Sequence, residues 1–128
     1  MGELLVIVSE KNDIVYQRIF NNASDEEYCR LVIIVYGSID ALVEKMSSST
    51  ASYFGCLDTY GDAKVSAYVM PSGYKLLFMH SRSDAKQFLD SMHRVFAGVL
   101  LRSVRPDEIA DDPDLDKNVD ELYGSCFV

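Results

Sequence analysis

Residues Asp25 to Ser47, DEEYCRLVIIVYGSIDALVEKMS, constrain the fold more than any other stretch of the chain. They read as one helix of about six turns, apolar around more of its circumference than a surface helix requires. At about 100° per residue, Tyr28, Val32, Val35, Ile39, Val43 and Met46 fall in one stripe suited to burial against a sheet. Leu31, Ile34 and Leu42 form a flank beside that stripe, and Ile33 and Cys29 lie on the far side. Glu26, Arg30, Gly37, Asp40 and Glu44 mark a solvated strip. The β-branched run LVIIVY also admits a strand. The length of the periodic segment and the capping box Ser24-x-x-Glu27 favour the helix. A helix this apolar in a small domain needs a second partner, which assigns the Leu31, Ile34 and Leu42 flank to another protein.

The rest of the chain supplies a sheet for that helix. Leu4 to Val8 is a continuous apolar run, as in a strand covered on both faces. Turn residues Glu10 to Asp13 separate it from the β-rich Ile14 to Phe20, and the two make a hairpin. After the helix, Ala51 to Leu57, Ala63 to Met70 and Tyr74 to His80 read as three strands of a meander. Their turns are Asp58 to Asp62 and Pro71 to Gly73, and Gly55 marks a bulge or a close backbone approach. Ser83 and Asp84 open a second helix whose Ala85, Phe88, Leu89, Met92, Val95, Phe96, Val99 and Leu100 repeat at helical spacing. Pro106 closes that region. Asp112-Pro113 starts a short final helix with Leu115, Val119, Leu122 and Tyr123 along one side, and Gly124 is its expected stop. The order β-β-α-β-β-β-α-α predicts one α+β domain over residues 1–128, an antiparallel sheet with helices on its faces.

Charge and cysteine usage narrow the function classes. The net charge of −8 argues against nucleic-acid binding, and eight of the twenty acids lie between Asp107 and Glu121. The remainder is nearly neutral, so that segment reads as a solvated acidic loop that aids solubility. Three widely spaced cysteines, Cys29, Cys56 and Cys126, point to a reducing compartment rather than a disulfide framework. No apolar run reaches the roughly eighteen residues of a membrane span, and the amino terminus lacks a signal-peptide pattern. Neither a phosphate loop nor a metal-binding motif is present, so no cofactor and no metal are expected. Cys56 with His80 is the one nucleophile pair the strands could bring together, although a cysteine inside an apolar strand is more often inert. Residues alone therefore point to a non-catalytic interaction domain.

Several strings resemble one family. Leu4-Leu5-Val6-Ile7-Val8 followed by Ser9-Glu10-Lys11-Asn12 is similar to the opening strand and turn of the sedlin family of trafficking protein particle (TRAPP) subunits. Ser38-Ile39-Asp40-Ala41-Leu42-Val43-Glu44-Lys45 resembles that family's Leu-Asp-x-Val-Asp-Glu-Lys helix end. Tyr53 to Leu57 and Lys64 to Val69 look like its Tyr-Leu-Gly-Leu-Leu and Lys-Val-Tyr-Gly-Tyr-Val strands. Ile109, Leu115-Asp116 and Val119 keep the separations of its C-terminal Ile, Phe-Asp and Val. The subunit 2-like branch is the nearest, although Ser103 to Pro106 stands where the family has Asn-Pro-Phe-Tyr.

The resemblance implies a longin, or SNARE-like (profilin-like), fold with a five-stranded antiparallel sheet. It implies a non-catalytic adaptor subunit of a vesicle tether acting between endoplasmic reticulum and Golgi, within an assembly that promotes nucleotide exchange on a Rab-family GTPase. The location implied is cytoplasmic, peripheral to endoplasmic reticulum, Golgi and perinuclear membranes, without membrane insertion. The partners implied are other TRAPP subunits, met by the first helix through Leu31, Ile34, Ser38, Asp40, Leu42 and Lys45. The alternatives are a longin-type module that binds SNAREs or a GTPase outside this complex, and a small ligand-binding domain or enzyme.

Overall fold

A computed structural model describes residues 3–20, 24–60, 63–81, 85–102, 109, 112 and 114–127. Its elements follow the expected order: β1 (Glu3–Val8), β2 (Ile14–Phe20), α1 (Asp25–Ser48), β3 (Tyr53–Tyr60), β4 (Ala63–Val69), β5 (Lys75–His80), α2 (Lys86–Arg102) and α3 (Leu115–Phe127). The strands form one five-stranded antiparallel sheet in the order β2-β1-β5-β4-β3. The fold is the longin-like α+β architecture expected from the strings above, with helices on both faces.

β1 and β5 lie at the centre of the sheet, and every residue of both is buried. That burial explains why both read as near-continuous apolar runs rather than alternating ones. Alternate residues serve opposite layers. Leu4, Val6, Val8, Val65, Leu77 and Met79 face α1, while Leu5, Ile7, Phe20, Leu76 and Phe78 face α2 and α3. Each large apolar side chain buried this way contributes about 1.5–3 kcal/mol.

Turn chemistry sets the ends of the strands. At the β1–β2 turn, Asn12 has φ 67, a conformation that Asn tolerates better than most residues. The Ser9 hydroxyl accepts from the amides of Lys11 and Asp13, both at 3.2 Å. Gly73 has φ +95, and a Cβ there would stand 2.9 Å from the Glu10 Cβ, so both backbone and space demand glycine. The bulge anticipated at Gly55 is seen as a register shift between Phe54 and Asp58. β3 continues through Asp58 to Tyr60, residues expected to turn, while Gly61 and Asp62 lie outside the described residues.

α1 begins at its predicted cap, where the Ser24 hydroxyl accepts from the Glu27 amide at 3.2 Å. Asp25, Glu26 and Glu27 place acids at the positive end of the helix dipole. The rotation of the helix about its axis differs from the expectation. The residues buried on the sheet are Leu31, Val35, Ser38, Ile39 and Leu42, and Val43 is exposed. The buried face is turned by roughly 50° from the predicted stripe. With apolar residues on more than half of the circumference, periodicity did not determine which sector met the sheet.

On the other face, α2 buries Phe88, Leu89, Met92, Phe96 and Val99 as the spacing predicts. Its expected cap at Ser83 and Asp84, and the closing Pro106, lie outside the described residues. α3 runs through Gly124 to Phe127, past the expected stop. Phe127 stacks with Phe78 at 5.9 Å and tilts against Phe88 at 5.3 Å, and this packing outweighs the cost of about 1 kcal/mol for a helical glycine. Asp112 precedes the helix instead of capping it: its carboxylate accepts from the Asp114 amide at 3.0 Å, and the first helical bond runs from the Asn118 amide to the Asp114 carbonyl at 2.9 Å, while Pro113 is outside the described residues.

Candidate partner interface

The outer side of α1 carries an apolar row that stays exposed among the described residues. Ile33 is 71% exposed, Tyr36 52% and Val43 42%. Cys29 and Asp40 are also exposed and fall in the same row at helical spacing. Exposed Glu26, Glu44 and Arg30 border it. The opposite side of the helix supplies the core, so the two faces of one element have separate duties.

The six residues expected to meet a partner divide between these faces. Leu42 and Leu31 are buried, which corrects their assignment to the outer flank, and Ser38, expected to meet a partner, is fully buried too. Ser38 tolerates burial because its hydroxyl donates to the Ile34 carbonyl at 2.9 Å, leaving no orphan donor in the core. Ile34 is half-buried and packs against the α1 layer of the core. Asp40 and Lys45 are exposed. Sequence reasoning passed over Ile33, Tyr36 and Val43 as an interface. The signal that marks them is large apolar side chains on the helix sector holding the charged residues.

The acidic C-terminal segment does structural work where it is described. Tyr16 on β2 donates to Asp116 at 2.5 Å, and Arg18 forms an ion pair with Asp120 at 2.8 Å. Tyr123 donates to Glu3. Burial, with the Asp116 hydrogen bond and charge added, pushes the Tyr16 phenol well above its ordinary value. These polar contacts fasten α3 across β1 and β2. Asp116 and Asp120 are therefore docking groups, which corrects the reading of the whole segment as a solvated loop.

The other chemical candidates, His80, Cys56 and Lys75, lie on the strands. The His80 ring is buried, stacks on Phe78 at 5.1 Å and lies 2.9 Å from the Ser66 hydroxyl through Nε2. That hydroxyl donates to the Gly55 carbonyl at 2.6 Å, so it accepts from His80. Cys56 is exposed while His80 is buried. Lys75 is buried and donates to Asn12 Oδ1 at 2.9 Å. Burial pulls its ammonium down in spite of the nearby Glu10 carboxylate. This lysine ties β5 to the β1–β2 turn. Among the described residues, no helix is long and apolar enough to cross a membrane.

Comparison with known sequences settles the lineage. The sequence profile described as Sedlin matches residues 7–125. The chain belongs to the Sedlin family. A curated relative, the "Transport protein particle 20 kDa subunit" of Schizosaccharomyces pombe, is 28% identical over 71 residues. That match takes in 53% of this chain and 52% of the relative, so the chain spans about half the length of the curated relative it matches. In this Sedlin-family chain, β1 from Ile7, the rest of the sheet and nearly all of α3 fall within the matched span.

Proposed function

We propose that this Sedlin-family chain is a non-catalytic adaptor subunit of a transport protein particle, joined to a neighbouring subunit through the outer side of α1. The observation that carries the proposal is the exposed row Ile33, Tyr36 and Val43 on a helix whose other side is already committed to the core. Large apolar side chains held in the open on a rigid element are suited to docking. The printed name of the fission-yeast relative supports the kind of assembly. Asp40 within the row adds a polar contact that fixes register, while Lys45 lies well round the helix from it. In this reading, the chain works at the cytoplasmic side of endoplasmic reticulum and Golgi membranes. It supports a Rab exchange assembly without touching the nucleotide.

The test is affinity capture from cells expressing the tagged full chain, followed by mass spectrometry. Other transport protein particle subunits are expected with the native chain and are lost with Tyr36→Glu, while the thermal melt of that variant stays near native. Leu42→Asp instead buries an unpaired charge and collapses the fold. Capture of no such subunit by the native chain, or undiminished capture by Tyr36→Glu, overturns the proposal.

A further inference from the structure

The outermost line of α1 carries a pattern that the adaptor reading does not use. Arg30, Gly37 and Glu44 are seven residues apart and all exposed. Seven residues are almost two full turns, so the three fall on nearly one line, with a drift of about 20° per step. Opposite charges thus stand on either side of a glycine, each about 10 Å from it at 1.5 Å per residue. Gly37 has no packing role within its own chain, because a Cβ there would meet nothing within 4 Å. In mid-helix it costs about 1 kcal/mol relative to alanine. Ile33, one turn before it, is the most exposed large apolar residue of α1, and Ala41, one turn after it, is small.

We propose that α1 pairs antiparallel with α1 of a second copy of this chain, about a two-fold axis passing Gly37. Such an axis sends each residue after Gly37 opposite the residue equally far before it. Arg30 then meets Glu44 of the second copy, and Glu44 meets its Arg30, giving two ion pairs from one pattern. Ile33 stands level with Ala41 of the second copy. The two glycines lie at the crossing, where the missing side chains let the backbones approach to the short end of helix packing, about 8 Å. A parallel pairing would instead set Arg30 against Arg30. The charge order thus selects both the occupant and its direction.

A single helix pair buries less than the roughly 1,200 Å² typical of stable complexes, so this dimer is reversible. It goes beyond the adaptor reading and does not rest on it. The self-pair covers Ile33, so a neighbouring subunit seated on that row displaces the second copy. Tyr36 lies well round the helix from the Gly37 line, so the Tyr36→Glu capture experiment and the dimer experiment can fail separately.

Sedimentation equilibrium of the purified full chain over a concentration series tests the pairing, with a thermal melt of each variant to verify folding. The native chain is expected to show a monomer–dimer equilibrium. Arg30→Glu and Glu44→Arg each weaken it roughly tenfold, since each change turns two attractions into two repulsions. The double variant Arg30→Glu/Glu44→Arg keeps the net charge and restores the association. Gly37→Leu abolishes it, and if that variant fails to fold, the charge-reversal set decides alone. A native chain that stays monomeric to its solubility limit overturns the proposal. So does a dimer indifferent to the single reversals, or one that the double reversal fails to restore.

Discussion

Tyr16 shows how a single polar atom can matter in an apolar layer. Its ring is buried and its hydroxyl reaches Asp116, about one hundred residues further along the chain. Tyr16→Phe removes the donor and leaves a carboxylate without that partner, at an expected cost of about 1–3 kcal/mol in urea unfolding near neutral pH. The pH dependence follows from the raised phenol. The folded state holds the proton more tightly than the unfolded chain, so the stabilisation is complete below about pH 10, the ordinary tyrosine value. It declines as pH rises beyond that value, because the unfolded chain ionises first. The stability gap between native and Tyr16→Phe chains should therefore narrow above about pH 10. A gap that stays constant through that range would assign the cost to packing instead. No sequence pattern announced this pair, because hydrogen bonds between distant residues leave no local periodicity.

Among the elements, those whose neighbours decided their conformation locally were the most legible. β1 was readable from Leu4 to Val8 because a strand covered twice has no polar alternation. α2 was readable because Phe88, Leu89, Met92, Phe96 and Val99 repeat along one side, even with Leu101 exposed on the other. α1 was legible as a helix but not in its rotation, which placed Leu31 and Leu42 on the wrong side. α3 overran Gly124 because Phe127 found an aromatic cluster that the sequence could not show. The backbone at Gly37 is helical and the space around its Cβ is open, so Gly37→Ala should raise the unfolding free energy by about 0.5–1 kcal/mol at dilute protein. No change, or a loss, would show that the glycine has a packing role within its own chain.

For the molecule as a whole, the decisive feature is the order β2-β1-β5-β4-β3, in which the first strand is hydrogen-bonded to the last. Leu4 pairs with Met79 and Val8 with Lys75, so the sheet has no centre until His80 is available. This has a consequence during translation. As the ribosome delivers the chain from its amino end, β1, β2 and α1 emerge while the strand they need is still unmade. α1 is then apolar on its core side and on its Ile33–Tyr36–Val43 side at once, which makes it a target for nascent-chain chaperones. Stalled nascent chains should accordingly stay protease-sensitive until β5 has cleared the exit tunnel, and gain protection in one step once it has. The strand that completes the core is also the one that ends the chaperone's hold on the helix.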